Sequence, residues 1–324
     1  MISKTISPKI KIFAVLGIVL FIVFTFIFIL QHKNNPNKVA QNPNITVSTS
    51  FYPLYYFAQQ VGGGLVTVKN ITPAGSEPHE YEPTTSQTQD VYKSQLLVFN
   101  GAGLDPWASK IKSDLEKANV KTIDMSSNFT ILKPLETVNI YKNTTEEKNE
   151  TDPHIWLSPK MAIRQIQVIR DELIKIDIKN KDIYEYNSNG AINNLAQLDN
   201  EYETRLANCT KNEVITSHNF LQYLAKEYRF KSTPISGISP ESEPSSKDLA
   251  QISQLVKEKG IKYIFSETLA SPKLAETIAK ETGAQILVLN PLEGLTDEEQ
   301  KIGKDYISVQ KENLTALAKA LDCK

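Results

Sequence analysis

Val47-Ser-Thr-Ser-Phe-Tyr-Pro-Leu-Tyr-Tyr-Phe-Ala58 recurs later in the chain as Val214-Ile-Thr-Ser-His-Asn-Phe-Leu-Gln-Tyr-Leu-Ala225. Six of the twelve positions are identical, at an offset of 167. Ser76-Glu77-Pro78 matches Ser242-Glu243-Pro244, Phe99 matches Phe265 and Pro106 matches Pro272, all at an offset of 166. A nearly constant offset over about 60 residues predicts two copies of one structural unit.

Each copy alternates strand and helix patterns. In the first, strands are expected at 45–50, 65–71, 96–99 and 120–123, with helices at 54–61, 85–93 and 107–118. In the second, strands are expected at 214–216, 232–235, 263–265 and 285–289, with helices at 220–228, 246–259 and 272–282. Gly283 follows the last of these as a C-cap should. Alternating strands and helices imply an α/β protein whose parallel sheets are covered on both faces. Between the copies lie two amphipathic helices, at 159–176 and 181–206. The second carries Tyr184, Ile192, Leu195, Leu198, Tyr202 and Leu206 at spacings near 3.6. A helix of that length between two lobes is a stiff connector, where a Gly/Ser linker is flexible. The expected organisation is an N-terminal lobe over 45–180, a connecting helix over 181–208 and a C-terminal lobe over 209–324. Residues 140–151 are polar and unpatterned and read as a surface loop.

Ile12–Leu30 is an uncharged run broken only by Gly17 and Thr25. As a helix it spans about 28 Å, close to the hydrocarbon thickness of a bilayer. Lys4, Lys9 and Lys11 precede it without an acidic residue, which places the following chain outside the cytoplasmic membrane. A cleaved signal peptide is the rival reading of residues 1–33, but Gln31-His-Lys-Asn-Asn-Pro36 is a poor cleavage site. No cysteine lies near the run to accept a lipid. Residues 1–33 are therefore expected to be a transmembrane anchor, and 34–44 a polar tether.

The 324 residues carry 36 Lys+Arg against 37 Asp+Glu, a balance that argues against a nucleic-acid partner. Two cysteines, Cys209 and Cys323, exclude a disulfide-dense scaffold and an all-cysteine metal site. An oxidising exterior permits a disulfide between them; two separate thiols are the alternative. There are only four histidines. His32 flanks the apolar run. His79, His154 and His218 all fall in expected loops, and loops at strand C-terminal ends line the binding crevice of open α/β sheets. Singly, each reads as an ordinary surface or core histidine. Together they form a candidate zinc site, since zinc takes imidazole nitrogen and carboxylate oxygen tetrahedrally. Glu293, after the last strand, is the candidate carboxylate, with a solvated surface glutamate as its plain alternative.

Gly75-Ser-Glu-Pro-His79-Glu-Tyr-Glu-Pro83, Asp152-Pro-His154-Ile-Trp-Leu157, Thr216-Ser-His218-Asn-Phe220 and Phe265-Ser-Glu267 with Leu289-Asn-Pro-Leu-Glu293 occur in this order. They resemble the extracytoplasmic zinc/manganese-binding receptors of ABC importers, over about Ile45 to Leu321. The resemblance implies two pseudo-repeated Rossmann-like lobes joined by a long rigid helix, with one metal ion between them. It implies zinc over manganese, because histidine stands at the third ligand position, and it assigns His79, His154, His218 and Glu293 as ligands. It further implies a monomeric, non-enzymatic receptor that captures zinc outside the membrane and passes it to an importer permease and its ATPase. Two features depart from the family: no histidine-rich loop precedes Asp152, and an anchor stands where a signal peptide or lipid is usual. Neutral imidazoles bind metal, so affinity is expected to fall below about pH 6.5. The alternatives are a zinc hydrolase using Glu80 or Glu267 as base, without a His-Glu-x-x-His motif, and a metal-stabilised surface adhesin. A binding protein for organic solutes is a third.

Overall fold

A computed structural model of the chain describes residues 45–133 and 151–324. The expected anchor, the tether and all of the 140–151 loop except Thr151 lie outside the described residues. Among the described residues no helix is long and apolar enough to cross a membrane.

The first sheet contains β1 (Ile45–Thr49), β2 (Val66–Asn70), β3 (Leu96–Phe99) and β4 (Lys121–Asp124), all parallel, in the order β2-β1-β3-β4. The second contains β5 (Glu213–Thr216), β6 (Lys231–Pro234), β7 (Tyr263–Ser266) and β8 (Gln285–Val288), all parallel, in the order β6-β5-β7-β8. The two orders are the same, as two copies of one unit require. Strand β3 reads Leu-Leu-Val-Phe and is buried throughout, as a central parallel strand should be. Strand β8 departs from the expectation of two covered faces. It forms the edge of its sheet, and Ile286 and Val288 remain 36% and 54% exposed.

Helices α1 (Tyr52–Gly62), α2 (Thr85–Tyr92) and α3 (Pro106–Lys117) connect the strands of the first half. Next come α4 (Pro159–Ile176) and α5 (Lys181–Leu206), with the bounds that their apolar periodicity predicts. Ser158 starts α4 by accepting a hydrogen bond from the Met161 N–H, and Pro159 fits the first turn, where no donor is needed. Helix α5 buries Tyr184, Ala191, Leu195, Leu198, Tyr202 and Leu206 along one stripe. The second half adds α6 (Gln222–Tyr228), α7 (Ser246–Lys259), α8 (Lys273–Thr282), α9 (Asp297–Lys301) and α10 (Tyr306–Ala320).

Helix α10 lies beyond the last repeat match and was not anticipated. It returns from the second half to the first: the Tyr306 ring packs on Tyr56 and Phe57 of α1 at centroid distances of 5.5 and 5.0 Å. The Tyr202 hydroxyl of α5 donates to the side chain of Gln310 in α10 at 2.7 Å. One apolar core therefore runs from Val47 and Phe57, through Trp156 and Leu195, to Phe220 and Leu317. Cys209 and Cys323 form a disulfide that ties the end of α5 to the chain beyond α10.

Candidate metal centre

Each histidine follows or precedes an element that fixes its backbone. His218 stands two residues after the end of β5, and its carbonyl accepts from the Thr216 hydroxyl at 2.9 Å. His154 sits four residues before the Ser158 cap of α4. Its loop is pinned from both halves: Asn100 Nδ2 donates to the Pro153 carbonyl at 3.0 Å, and the Tyr223 hydroxyl donates to the Asp152 carbonyl at 2.8 Å. His79 lies in the loop after β2, with its N–H donating to Glu77 Oε2 at 3.1 Å. The Gly75 N–H of the same loop crosses to the Leu295 carbonyl at 3.0 Å.

Glu293 hangs from the loop after β8. Asn313 of α10 clamps Asn290, accepting from its N–H at 2.9 Å and donating to its carbonyl at 2.7 Å. The Asn290 side chain in turn accepts from the Leu292 N–H at 2.7 Å. Leu292 is held at φ 59°, an unfavourable left-handed conformation for a bulky residue, and the turn it makes precedes Glu293.

The four sequence-proposed residues converge. His79 Nε2, His154 Nε2 and His218 Nε2 stand 3.4, 3.3 and 3.3 Å from Glu293 Oε1. His154 Nε2 and His218 Nε2 are 3.2 Å apart, and all four ligand atoms lie within 4.8 Å of one another. A tetrahedral zinc ion with arms of ~2.0–2.1 Å requires ligand–ligand edges of about 3.3–3.4 Å. Four of the six edges thus already have the length that zinc demands. His154 and His218 are fully buried and Glu293 nearly so. Glu293 Oε2 is buried with no hydrogen-bond partner, a costly arrangement unless a cation compensates it.

Two further carboxylates orient the rings. Asp152 Oδ1 accepts from both the N–H and Nδ1 of His154, at 2.9 and 2.8 Å. Glu267 Oε1 accepts from His218 Nδ1 at 2.6 Å and also from the Ser217 hydroxyl. With Nδ1 carrying the proton, each Nε2 lone pair points into the cage. Both residues lie inside the motifs quoted from the sequence, where Glu267 reads only as the base of the hydrolase alternative and Asp152 carries no role. The Asp-x-His spacing is the signal for Asp152. Glu267 lies 49 residues from His218, and only the β5–β7 pairing brings them together.

Without a metal the cage binds protons. Burial drives the His218 imidazolium down, but the charges and hydrogen bonds of Glu267 and Glu293 outweigh it and push the pKa up to about 10. His154 is raised in the same way: burial opposes, and Asp152 and Glu293 prevail. His79 is lowered by burial. Burial works to raise Glu293 too, yet the His218 charge and its imidazole hydrogen bonds hold it well below the usual carboxylate range. Glu77 is pushed up to about 8 by burial and by the Glu293 charge. The cage is thus built to favour positive charge at its centre.

Two parallel sheets meeting around a closed three-histidine, one-carboxylate cage define a metal-binding α/β protein. Residues 47–320 match the family described as the periplasmic component A of the zinc-uptake complex, and the chain belongs to that family. It is 37% identical over 288 residues to the zinc-binding lipoprotein AdcA of Streptococcus pneumoniae, covering 88% of this chain and 58% of that protein. It is 35% identical over 284 residues to the high-affinity zinc uptake system protein ZnuA of Bacillus subtilis, covering 87% of this chain and 89% of that protein. Among solved structures, the Zn(II)-bound ZnuA-like domain of the S. pneumoniae protein matches with a TM-score of 0.74 at 37% identity, over 86% of this chain and 99% of that one. The laminin-binding protein of Streptococcus agalactiae, described as bifunctional with adhesin and metal-transporting activity, matches with a TM-score of 0.76 at 32% identity, over 86% of this chain and 99% of that one.

Proposed function

We propose that this chain captures one zinc ion outside the cytoplasmic membrane through His79, His154, His218 and Glu293, and delivers it to an ABC import permease driven by its ATPase. The observation that carries the reading is the set of 3.2–3.4 Å separations among the ligand atoms, which match the edges of a zinc tetrahedron. The zinc-binding relatives support it. In this reading residues 1–33 anchor the protein to the membrane, the body acts as a monomer, and 45–180 and 209–324 are the two lobes.

Four protein ligands complete a tetrahedral sphere, so the cage carries zinc without leaving a position for an activated water. His79 and His154 come from the first half, and His218 and Glu293 from the second. Zinc therefore bridges the halves, and losing it loosens the contact between them. The long α5 and the continuous core restrict that response to loop shifts or a small tilt. Glu267 is engaged by His218 and Ser217, and Glu80 stands on the surface, so neither supports the hydrolase alternative.

Metal analysis of the purified protein tests the reading. One zinc per chain is expected at neutral pH, lost in His154→Ala and in His218→Ala. No zinc in the parent, or zinc unchanged in both variants, overturns it.

A further inference from the structure

The loop that presents Glu293 belongs to the second half, yet the first half holds it on both sides of the ligand. After Glu293, the Leu295 carbonyl accepts from the Gly75 N–H at 3.0 Å. Before it, the Pro291 carbonyl accepts from the indole N–H of Trp156 at 2.8 Å. The rest of Trp156 is firmly placed. It is fully buried, its ring packs 5.0 Å from His154 and 4.7 Å from Phe51, and its carbonyl accepts from the Tyr306 hydroxyl. A rigid indole two residues from His154 therefore reaches across to a carbonyl two residues before Glu293. Between that carbonyl and Glu293 stands only Leu292, held at φ 59°. A left-handed leucine is unfavourable, so the loop keeps this conformation only while it is held. The Asn290 side chain holds the Leu292 N–H from within the second half, and the flanks are fixed from the first.

We propose that Trp156 is a positioning residue for zinc: its indole N–H, donated to the Pro291 carbonyl, sets the left-handed turn that aims Glu293 into the cage. This rests on the zinc-receptor reading and adds to it a specific route by which the loop of His154 controls the fourth ligand. Packing of the Trp156 ring against His154 is a separate contribution. The proposal concerns the N–H alone.

The test separates the two. In full-length protein, Trp156→Phe keeps an aromatic ring beside His154 and removes the donor. Replacing Trp156 with benzothienylalanine keeps the ring shape and substitutes sulfur for N–H. Trp107→Phe, a buried tryptophan of α3 away from the cage, is the control. Zinc affinity is measured by chelator competition, alongside the melting temperature of each metal-free protein. We expect both Trp156 replacements to weaken zinc about tenfold, the cost typical of losing a supporting hydrogen bond around a metal ligand. Trp107→Phe should leave affinity unchanged. In a Glu293→Ala background, Trp156→Phe should cause no further loss, because it acts through Glu293. Affinity unchanged in the benzothienylalanine protein overturns the proposal, even where Trp156→Phe folds poorly. The same tenfold loss in the Glu293→Ala background also overturns it. Absence of zinc from the parent protein would instead refute the receptor reading.

Discussion

Zinc capture should be coupled to proton release well above the ordinary histidine range. His218 is held up to about 10 in the metal-free cage: burial opposes, and the charges of Glu267 and Glu293 outweigh it. Ligation needs the neutral ring. At pH 7 removing that proton costs about 4 kcal/mol, from three units at ~1.36 kcal/mol each, or about a thousandfold in apparent affinity. Affinity should therefore rise about tenfold per pH unit between pH 7 and 9, and more steeply wherever His154, also raised, still carries its proton. This extends the proton competition expected from the sequence, which ended near pH 6.5. The sign for folding is opposite. Because the folded-state pKa of His218 is raised, its contribution to metal-free stability is complete below about pH 6.5 and is lost as pH rises through about 10. Chelator competition from pH 6.5 to 9, with calorimetry in two buffers of different ionisation enthalpy, measures both the slope and the protons released. About one proton or more per zinc at pH 7–8 is expected. A flat affinity between pH 7 and 9, with no buffer-dependent heat, would refute the electrostatic account of the cage.

Asp152→Asn keeps an acceptor for His154 but removes the charge that makes its ring a stronger ligand. Zinc should bind about tenfold more weakly while the fold persists, as read by competition against a chelator and by circular dichroism. Replacing both Cys209 and Cys323 with serine opens a link between residues 114 apart, worth about 5 kcal/mol on the chain-entropy account. The denaturant midpoint should fall accordingly, and an unchanged midpoint would show that the bond contributes no net stability.

The parts of the fold that repeat or keep a period were legible in the sequence. The offset near 166 located both sheets, and the apolar stripes of α4 and α5 gave their limits to the residue. The three histidines stood out because so few exist; His218 follows a strand end and His154 precedes a helix cap, while His79 lies within the long loop between β2 and α2. Helix α10 has a regular pattern as well, with Tyr306, Val309, Leu314 and Leu317 buried, but no repeat match draws attention to it. The exposure of β8 was hidden, since Ile-Leu-Val reads as a buried strand whether or not another element covers it. Least legible was the support for Glu293. The bond from Trp156 ends on a main-chain carbonyl 135 residues away, and a backbone acceptor leaves no mark in the sequence.

Duplication explains the crevice but not the single site, and the departures from symmetry show why one cage forms. At the end of β1 the counterpart of His218 is Phe51, fully buried against Trp156. The counterpart of His79 is Ser245, whose hydroxyl accepts from the Asp248 N–H and starts α7 at once. In the first copy the helix begins five residues later in register, at Thr85, capped by Thr84. That delay gives His79 a loop long enough to reach Glu293. The counterpart of Glu267 is Gly101 at φ 74°, so the first copy has no carboxylate with which to orient a ring at that position. His154 has no counterpart, since it comes from the unrepeated stretch before α4. In these three pairs one member bears a ligand or its support, and the other is a packed ring, a helix cap or a left-handed glycine. Among the described residues a second, symmetric cluster does not occur, because these counterpart positions lack ligand side chains. The one cluster that does form draws His79 and His154 from the first half and His218 and Glu293 from the second.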